Sequence, residues 1–253
     1  MPDVRSRRTA TPGCEGIRMK RRDVHAVFFD AGYTLLCMEP DQQTLFLQTC
    51  RNLDVTIDRA KLENGVAVAN ALLGPRPAKA VATPFSQAAV DRFWIDYHRE
   101  LLGLCAVRPV DVGRAEAVYR AFSAALDWRV YDEVRPLLAA MRARGLMLGV
   151  VSNWTGDLDD VLERVDLRDS FDFVLDSARI GFEKPHPELF REALDRARCA
   201  PADALHVGDS PEHDVDGALA CGLRAVLLDR HDRYATFDRA PRVRSLDEVI
   251  AHL

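Results

Sequence analysis

Residues 24–36 read VHAVFFDAGYTLL, and this stretch decides the fold. Its first six residues are mainly apolar and end at Asp30, which is the pattern of a short strand buried in a parallel sheet. Ligands of such sheets collect outside the carboxyl ends of the strands. The stretch therefore predicts a buried strand that presents a carboxylate at the edge of the sheet where ligands bind.

Four more short apolar runs follow along the chain, at residues 146–151, 171–175, 204–207 and 225–228. Amphipathic helical patterns separate them, at residues 135–144, 158–165, 188–197 and 214–220. Strands that alternate with helices pack into a parallel sheet through right-handed crossovers. The sequence therefore predicts an α/β fold with a doubly wound, Rossmann-like parallel sheet.

The stretch between the first two predicted strands is too long for a single crossover. Four helical patterns occupy it, at residues 42–53, 59–73, 87–102 and 114–126, and a GPRP break at 74–77 divides them into two pairs. We interpret residues 41–127 as an α-helical cap domain. It is inserted into an α/β core that residues 22–40 and 128–253 form.

Composition and charge exclude several classes of protein. The net charge of −5 gives no strong attraction to nucleic acid or to an anionic membrane, and no apolar run approaches the roughly 18 residues of a membrane span. The six cysteines are scattered without a C-x-x-C pair, which is typical of reduced thiols in a cytoplasmic protein. We expect a monomer or homodimer. Residues 1–21 are strongly basic and are expected to be a disordered arm, or else an arm that binds a polyanion.

Polar residues stand at the ends of the first four predicted core strands. They are Asp30, Gly32 and Thr34 after the first, Ser152 and Asn153 after the second, Lys184 in the loop after the third, and Asp209 and Asp214 after the fourth. Because the carboxyl ends of parallel strands share one edge, the carboxylates, the hydroxyl and the lysine are expected to converge there.

In order and spacing this set resembles the four motifs of the haloacid dehalogenase superfamily, in the branch with a helical cap between the first two motifs. The resemblance covers residues 22–230. It implies that Asp30 is an aspartyl nucleophile, assisted in catalysis by Ser152 and Lys184. It also implies that the phosphate of a substrate is bound by Ser152, Asn153, Lys184 and Thr34.

The resemblance also implies a magnesium ion. A carboxylate nucleophile and the phosphate oxygens repel each other, and Mg²⁺ accepts one or two carboxylates together with water and phosphate oxygens. The expected ligands are Asp30, the backbone carbonyl of Gly32 and Asp209. Asp214 is expected in a supporting position, where it orients the metal shell or Lys184.

Gly32 departs from the family pattern. Phosphatases of this family usually carry a second Asp two residues after the nucleophile, where it protonates the leaving group, and general acid–base catalysis is worth about 10²- to 10⁴-fold. In its absence, water or a cap residue such as His98 supplies the proton, or a good leaving group such as an acyl phosphate needs none. We also expect Gly32→Asp to raise turnover of alkyl phosphates.

The favoured interpretation is a Mg²⁺-dependent hydrolase of small phosphorylated metabolites that works through an aspartyl-phosphate. A slow or non-catalytic phosphate-binding regulatory protein is the first alternative, since Asp30, Lys184 and Asp209 would also suit a stoichiometric binder. A 2-haloacid dehalogenase or a phosphonate-cleaving hydrolase is the second, because halide departs without a proton. Asp209 and Asp214, however, match the metal-binding form of the fourth motif.

Overall fold

The computed structural model describes residues 23–71 and 86–253 of the chain. Three of the sequence-based predictions concern residues outside these ranges. They are the disordered arm at residues 1–21, the break at 74–77 and the end of the helix predicted over 59–73.

Within the described residues, eight strands form two sheets. They are β1 (Ala26–Phe29), β2 (Leu36–Met38), β3 (Trp128–Val130), β4 (Met147–Ser152), β5 (Phe173–Asp176), β6 (Ala204–Gly208), β7 (Arg224–Leu228) and β8 (Arg242–Val243). Six of them make one parallel sheet in the order β5-β4-β1-β6-β7-β8, and β2 and β3 pair antiparallel in a separate ribbon. The predicted doubly wound parallel sheet is confirmed.

Helices cover both faces of the six-stranded sheet. The core helices are α5 (Val134–Ala143), α6 (Leu158–Arg164), α7 (Ser177–Ile180), α8 (Pro187–Ala197) and α9 (Gly217–Ala220). Side chains of a strand alternate between its two faces, so Val27 and Phe29 enter one apolar cluster with α5 and α6, while Ala26 and Phe28 enter another with α8 and α9. The sheet is therefore buried on both sides, as its apolar strands require.

In the described parts of the segment between β2 and β3, residues 39–71 and 86–127, there are four helices. They are α1 (Gln42–Asn52), α2 (Arg59–Ala71), α3 (Gln87–Cys105) and α4 (Val112–Ala125), and they share an apolar cluster separate from the two that flank the sheet. We call this segment the helical insertion; that it acts as a cap domain stays a prediction. None of the helices that the structure describes is long and apolar enough to cross a membrane.

The fourth motif begins its helix earlier than the predicted range of 214–220. Residues Pro211–Asp216 form a π-helical turn that continues into α9. Ser210 precedes this turn, and its side chain accepts a hydrogen bond from the backbone N–H of His213. The wide turn places Asp214 on the side that faces the end of β6, where Ser210 N–H donates to its carboxylate. Single-turn π-helices of this kind often occur at functional sites.

Candidate active site

The strand order brings the predicted motif residues to one edge of the sheet. β1 lies between β4 and β6, so Asp30 after β1 is flanked by Ser152 at the end of β4 and by Asp209 after β6. The chain runs outward from β1 in both directions, which makes this edge the switch point of the doubly wound sheet. The residues that sequence analysis placed at successive strand ends are therefore neighbours in space.

Two hydrogen bonds orient the Asp30 carboxylate. Ser152 Oγ donates to Asp30 Oδ1 at 2.9 Å, and Lys184 Nζ donates to the same oxygen at 2.7 Å. Asp30 is 8% exposed, whereas Ser152 and Lys184 are almost fully buried. Within residues 23–71 and 86–253 no side chain donates to Asp30 Oδ2. One oxygen is thus fixed by a cation and a hydroxyl, and the other remains available for chemistry.

Lys184 also joins Asp30 to Asp214, whose Oδ1 accepts from Nζ at 2.6 Å. Burial by itself lowers the pKa of Lys184, but the Asp214 and Asp30 carboxylates outweigh burial and raise this pKa above its usual value. Burial by itself raises the pKa of Asp214, but Lys184 and His206 outweigh it and hold that pKa below its usual range. The pair is therefore fully charged at neutral pH.

Asp214 has three donors and little free capacity. His206 Nε2 lies 2.9 Å from its Oδ1, and Ser210 N–H donates to its Oδ2 at 2.9 Å, in addition to the bond from Lys184. Burial lowers the pKa of His206, so the ring is neutral and Nε2–H donates. Asp214 thus contacts Lys184 directly, and its supporting role in the site stays a prediction.

Asp30 belongs to an acidic cluster. Single carboxylate oxygens of Asp30, Asp209 and Asp214 all lie within 4.8 Å of one another. Burial, followed by the charges of Asp30 and Asp214, raises the pKa of Asp209 well above its usual value. Three carboxylates face one buried lysine, so the cluster is short of positive charge. Hard oxygen donors in this number fit a divalent cation such as Mg²⁺, with Asp30 and Asp209 as the carboxylates that remain free to bind it.

Two predicted substrate-binding residues, Asn153 and Thr34, differ in their contacts. The Asn153 side chain binds the backbone of Lys184 on both sides, since Nδ2 donates to the Lys184 carbonyl at 3.0 Å and Oδ1 accepts from its N–H at 2.7 Å. Thr34 is fully buried, and its hydroxyl has no partner in the part of the chain that the structure describes. Asn153 thus fixes the position of Lys184, and phosphate binding by Thr34 stays a prediction.

Two indole rings cover Gly32. A Cβ atom at this position would lie 3.4 Å from Trp154 Cζ3 and 3.9 Å from Trp128 Cη2, and the two rings pack with centroids 5.0 Å apart. Both distances are ordinary van der Waals contacts, so a Cβ at residue 32 would pack against the two rings. That Gly32→Asp raises turnover of alkyl phosphates stays a prediction, and the packing of two indoles at this position was not indicated by the sequence.

His98 lies inside the helical insertion. Its ring is 2% exposed and packs among Phe46, Tyr97 and Phe122, while Nδ1 donates to the Trp94 carbonyl at 2.8 Å. Burial lowers the pKa of His98 to about 4, against a smaller opposing effect of that carbonyl. The imidazole is therefore uncharged at neutral pH, which argues against His98 as the replacement acid.

Arg230 is a site residue that the sequence analysis missed. It follows β7 at the same sheet edge, and it donates from Nε to the Tyr33 carbonyl at 3.2 Å and from Nη2 to the Thr34 carbonyl at 2.8 Å. Its guanidinium lies 3.7 Å from the Tyr131 ring centroid and pairs with Glu133 at 2.5 Å. Arg230 thereby anchors the loop that follows the nucleophile. The position of Arg230 just after a predicted strand was the feature of the sequence that could have identified it.

His206 is a second residue near the site that the sequence analysis did not include, and its ring bonds to Asp214. The available signal was the alternation of β6, which puts His206 and Gly208 on one face. A Cβ at Gly208 would lie 2.1 Å from Asp214 Cγ, so only glycine leaves room for that carboxylate. The face that accommodates Asp214 therefore also carries His206.

Comparison with known proteins identifies the family. A model of the haloacid dehalogenase-like hydrolases matches residues 24–222, which is more than half of the chain. The chain therefore belongs to the haloacid dehalogenase-like hydrolase family.

Curated relatives match part of the chain. It is 40% identical over 139 residues to haloacid dehalogenase-like hydrolase domain-containing protein 3 of Bos taurus, covering 54% of this chain and 55% of that protein. It is 42% identical over 123 residues to a phosphoserine phosphatase of Thermus thermophilus, covering 47% and 49%. The chain spans about half the length of the curated relatives it matches.

Solved structures match over nearly the whole chain. The HAD-hydrolase YfnB of Bacillus subtilis, bound to magnesium, aligns with a TM-score of 0.70 at 18% identity, covering 92% of this chain and 99% of that one. A 2-haloacid dehalogenase of Pseudomonas syringae aligns with a TM-score of 0.55 at 24% identity, covering 90% and 97%. At these identities the likeness shows a shared fold.

Proposed function

We propose that the chain is a Mg²⁺-dependent phosphatase of small phosphorylated metabolites, with Asp30 as the nucleophile. The observation that carries the proposal is the asymmetric Asp30 carboxylate, in which Ser152 and Lys184 donate to Oδ1 while no side chain of the described residues donates to Oδ2. The phosphoserine phosphatase of Thermus thermophilus and a glyceraldehyde 3-phosphate phosphatase of Methanothermobacter thermautotrophicus, 35% identical over 101 residues, support a phosphate ester as substrate.

The reaction has two displacements at phosphorus. In the first, an Asp30 oxygen forms a bond to phosphorus as the bond to the leaving oxygen breaks, and the electron pair stays on the leaving group. In the second, a water oxygen bonds to phosphorus, the bond to Asp30 breaks, and inorganic phosphate is released. Lys184 offsets the negative charge that accumulates around Asp30. Mg²⁺ held by Asp30, the Gly32 carbonyl and Asp209 would supply further positive charge facing the phosphoryl oxygens.

The absence of a side-chain acid at Gly32 limits the leaving group. A departing alkoxide needs a proton, whereas a weakly basic oxygen leaves as the anion. The proposal therefore favours substrates with good leaving groups. We assign to the helical insertion the function of a cap that closes over the sheet edge and excludes water.

Product release separates the candidate functions. The protein is incubated with Mg²⁺ and acetyl phosphate, alkyl phosphates or 2-haloacids, and phosphate and halide are measured. Phosphate release that EDTA and Asp30→Asn abolish is the expected result. Asp132→Asn, which makes the same change at an exposed carboxylate, is the matched control and keeps full activity.

Two results would overturn the proposal. Halide release without metal would assign the chain to the dehalogenases. Thermal stabilisation by inorganic phosphate without any product would instead assign it to the phosphate-binding regulators.

A further inference from the structure

Three aromatic side chains surround Gly32 next to the nucleophile, and we call them the aromatic wall: Tyr33, Trp128 and Trp154. The Tyr33 ring meets the Trp128 ring edge-on with centroids 6.2 Å apart, and Trp128 packs against Trp154 at 5.0 Å. Trp128 belongs to β3 and Trp154 follows β4, so no member of the wall comes from the helical insertion.

The wall is accessible to solvent, unlike the aromatic residues of the sheet. Tyr33 is 40% exposed and both indoles are half-buried, whereas Phe28 and Phe29 of the neighbouring β1 are completely buried. Large apolar rings gathered at a partly exposed site commonly mark a binding surface. The two indoles contact Gly32, the position where phosphatases of this family usually carry the acid that protonates the leaving group.

Tyr33 adopts a backbone conformation that tyrosine rarely takes. Its φ is 59°, in the left-handed region that favours glycine. The contacts around it enforce this conformation, since Arg230 donates to its carbonyl and its own hydroxyl donates to Met38 Sδ at 3.5 Å. Strain of this kind persists at functional sites, where the position of a side chain is required. Here the strain places an aromatic ring at the edge of the wall.

The wall offers a leaving group flat carbon surfaces and no proton from the nearest ring. The atoms closest to the missing side chain of Gly32 are ring carbons of the two indoles. Trp154 Nε1–H is already engaged, because it donates to Asp157 Oδ1 at 3.0 Å. Indole ring carbons therefore lie at the position where a phosphatase of the usual pattern has a carboxylic acid.

We propose that the substrates are phosphate monoesters of planar aromatic hydroxyls, whose rings pack on the aromatic wall. This inference rests on the proposed function and specifies its substrate class. A phenol has a pKa of about 10, like tyrosine, so phenolate departs without an acid far more easily than an alkoxide does. The bond from phosphorus to the aryl oxygen breaks as the Asp30–phosphorus bond forms, and the phenolate takes its proton from solvent. Offset or edge-on ring packing holds the aromatic group in place.

The test compares kcat/KM for phenyl phosphate, ethyl phosphate and acetyl phosphate in the full chain with Mg²⁺. Phenyl phosphate is expected to exceed ethyl phosphate by about 10² or more, the size of a missing acid contribution. Acetyl phosphate has a good leaving group without a ring, so the phenyl-to-acetyl ratio reports ring packing separately from leaving-group basicity.

Three variants probe the wall. Trp128→Leu is expected to lower the phenyl-to-acetyl ratio about five- to tenfold, mainly through KM for phenyl phosphate, while Trp128→Phe retains most of it. Tyr33→Gly removes a ring from the wall and suits the left-handed backbone, so it folds and lowers the ratio in the same direction. Phe237→Leu is the control, because Phe237 packs against the opposite face of the sheet from both indoles; its ratio is expected to stay at the wild-type value.

The possible failures are distinguishable. Acetyl phosphate turnover with a phenyl-to-acetyl ratio that Trp128→Leu and Tyr33→Gly leave unchanged would overturn the aromatic-substrate proposal and keep the phosphatase. An equal loss of kcat/KM for phenyl phosphate and acetyl phosphate would also overturn the aromatic-substrate proposal, because the wall would then support the structure of the site without binding the ring. No phosphate from any of the three compounds would overturn both proposals.

Discussion

Replacing Lys184 by Met removes the cation that links the Asp30 and Asp214 carboxylates. Lys184 is 3% exposed, and its Nζ lies 2.7 Å from Asp30 Oδ1 and 2.6 Å from Asp214 Oδ1. Met fills similar space with an apolar chain, so the change leaves two buried carboxylates without their cation. Removing one partner of a buried ion pair costs about 3–5 kcal/mol, and we expect the free energy of unfolding at pH 7 to fall by that amount. Phosphate release is expected to vanish.

The double variant Lys184→Met/Asp214→Asn separates stability from catalysis. Neutralising Asp214 removes one of the two unpaired charges while its shape is kept, so stability recovers by a coupling energy of about 0.5–3 kcal/mol. Activity is not expected to recover, because Asp30 still lacks its cation. Urea unfolding followed by circular dichroism, in EDTA so that no metal replaces the lysine, gives both free energies.

The pH dependence provides the refutation. In the wild type the pKa of Asp214 lies below its usual value. Ionised Asp214 therefore stabilises the folded state at every pH above the usual value. This stabilisation is lost as the pH falls from the usual value through the lower pKa of the folded state. Lys184→Met removes this contribution, and burial then favours the protonated acid. The stability difference from wild type is therefore largest at neutral pH and shrinks in acid. A variant that unfolds at the wild-type urea midpoint, or a difference that does not change with pH, would refute the reasoning.

Three further predictions concern other parts of the chain. Burial lowers the pKa of His98 from 6.5 to about 4, so protons bind the unfolded state more tightly and the free energy of unfolding falls as the pH drops from 6.5 to 4. His98→Gln is expected to remove about 3 kcal/mol of this fall, measured by urea unfolding at several pH values. The same pH dependence in wild type and variant would contradict the prediction. At a hundredfold excess over its Kd, Mg²⁺ is expected to stabilise the wild type by about 3 kcal/mol and so to raise its Tm, whereas the Tm of Asp209→Asn should not change. Equal Tm shifts in the two proteins would place the cation elsewhere. Gly208→Ala brings a Cβ to 2.1 Å from Asp214 Cγ and is expected to destabilise the protein by about 1–3 kcal/mol. The control is Gly103→Ala, at an exposed helical position where a Cβ meets no atom within 4 Å, and it is expected to stabilise by about 0.5–1 kcal/mol. Unchanged stability of Gly208→Ala would show that Asp214 can move.

The strands of the sheet were predictable because each is a local pattern. The five apolar runs correspond to β1, β4, β5, β6 and β7, with ends that differ by no more than two residues. The ribbon of β2 and β3 was not predicted, since Leu36 pairs with Val130 and neither three-residue strand carries a clear pattern. β8, with two residues, was missed for the same reason.

The polar residues at the strand ends were predictable as a group, and their individual contacts were not. The strand order of a parallel sheet brings Ser152, Lys184 and Asp209 close to Asp30, independently of the contacts that their side chains make. That Asn153 binds the Lys184 backbone depends on how two loops meet, and this information is absent from either loop alone. The indoles over Gly32 likewise come from β3 and from the loop after β4, which no local pattern connects.

The position of the nucleophile in the chain has a consequence for the timing of folding. The bonds to Asp30 span 122 residues to Ser152 and 154 residues to Lys184. During synthesis, β1 and the helical insertion leave the ribosome before either strand that flanks β1 exists. The insertion can fold early through contacts among its own helices, whereas β1 waits for distant partners. Recovery of activity in a refolding experiment would therefore mark the closing of the whole sheet, and it is expected to lag behind the return of helical signal.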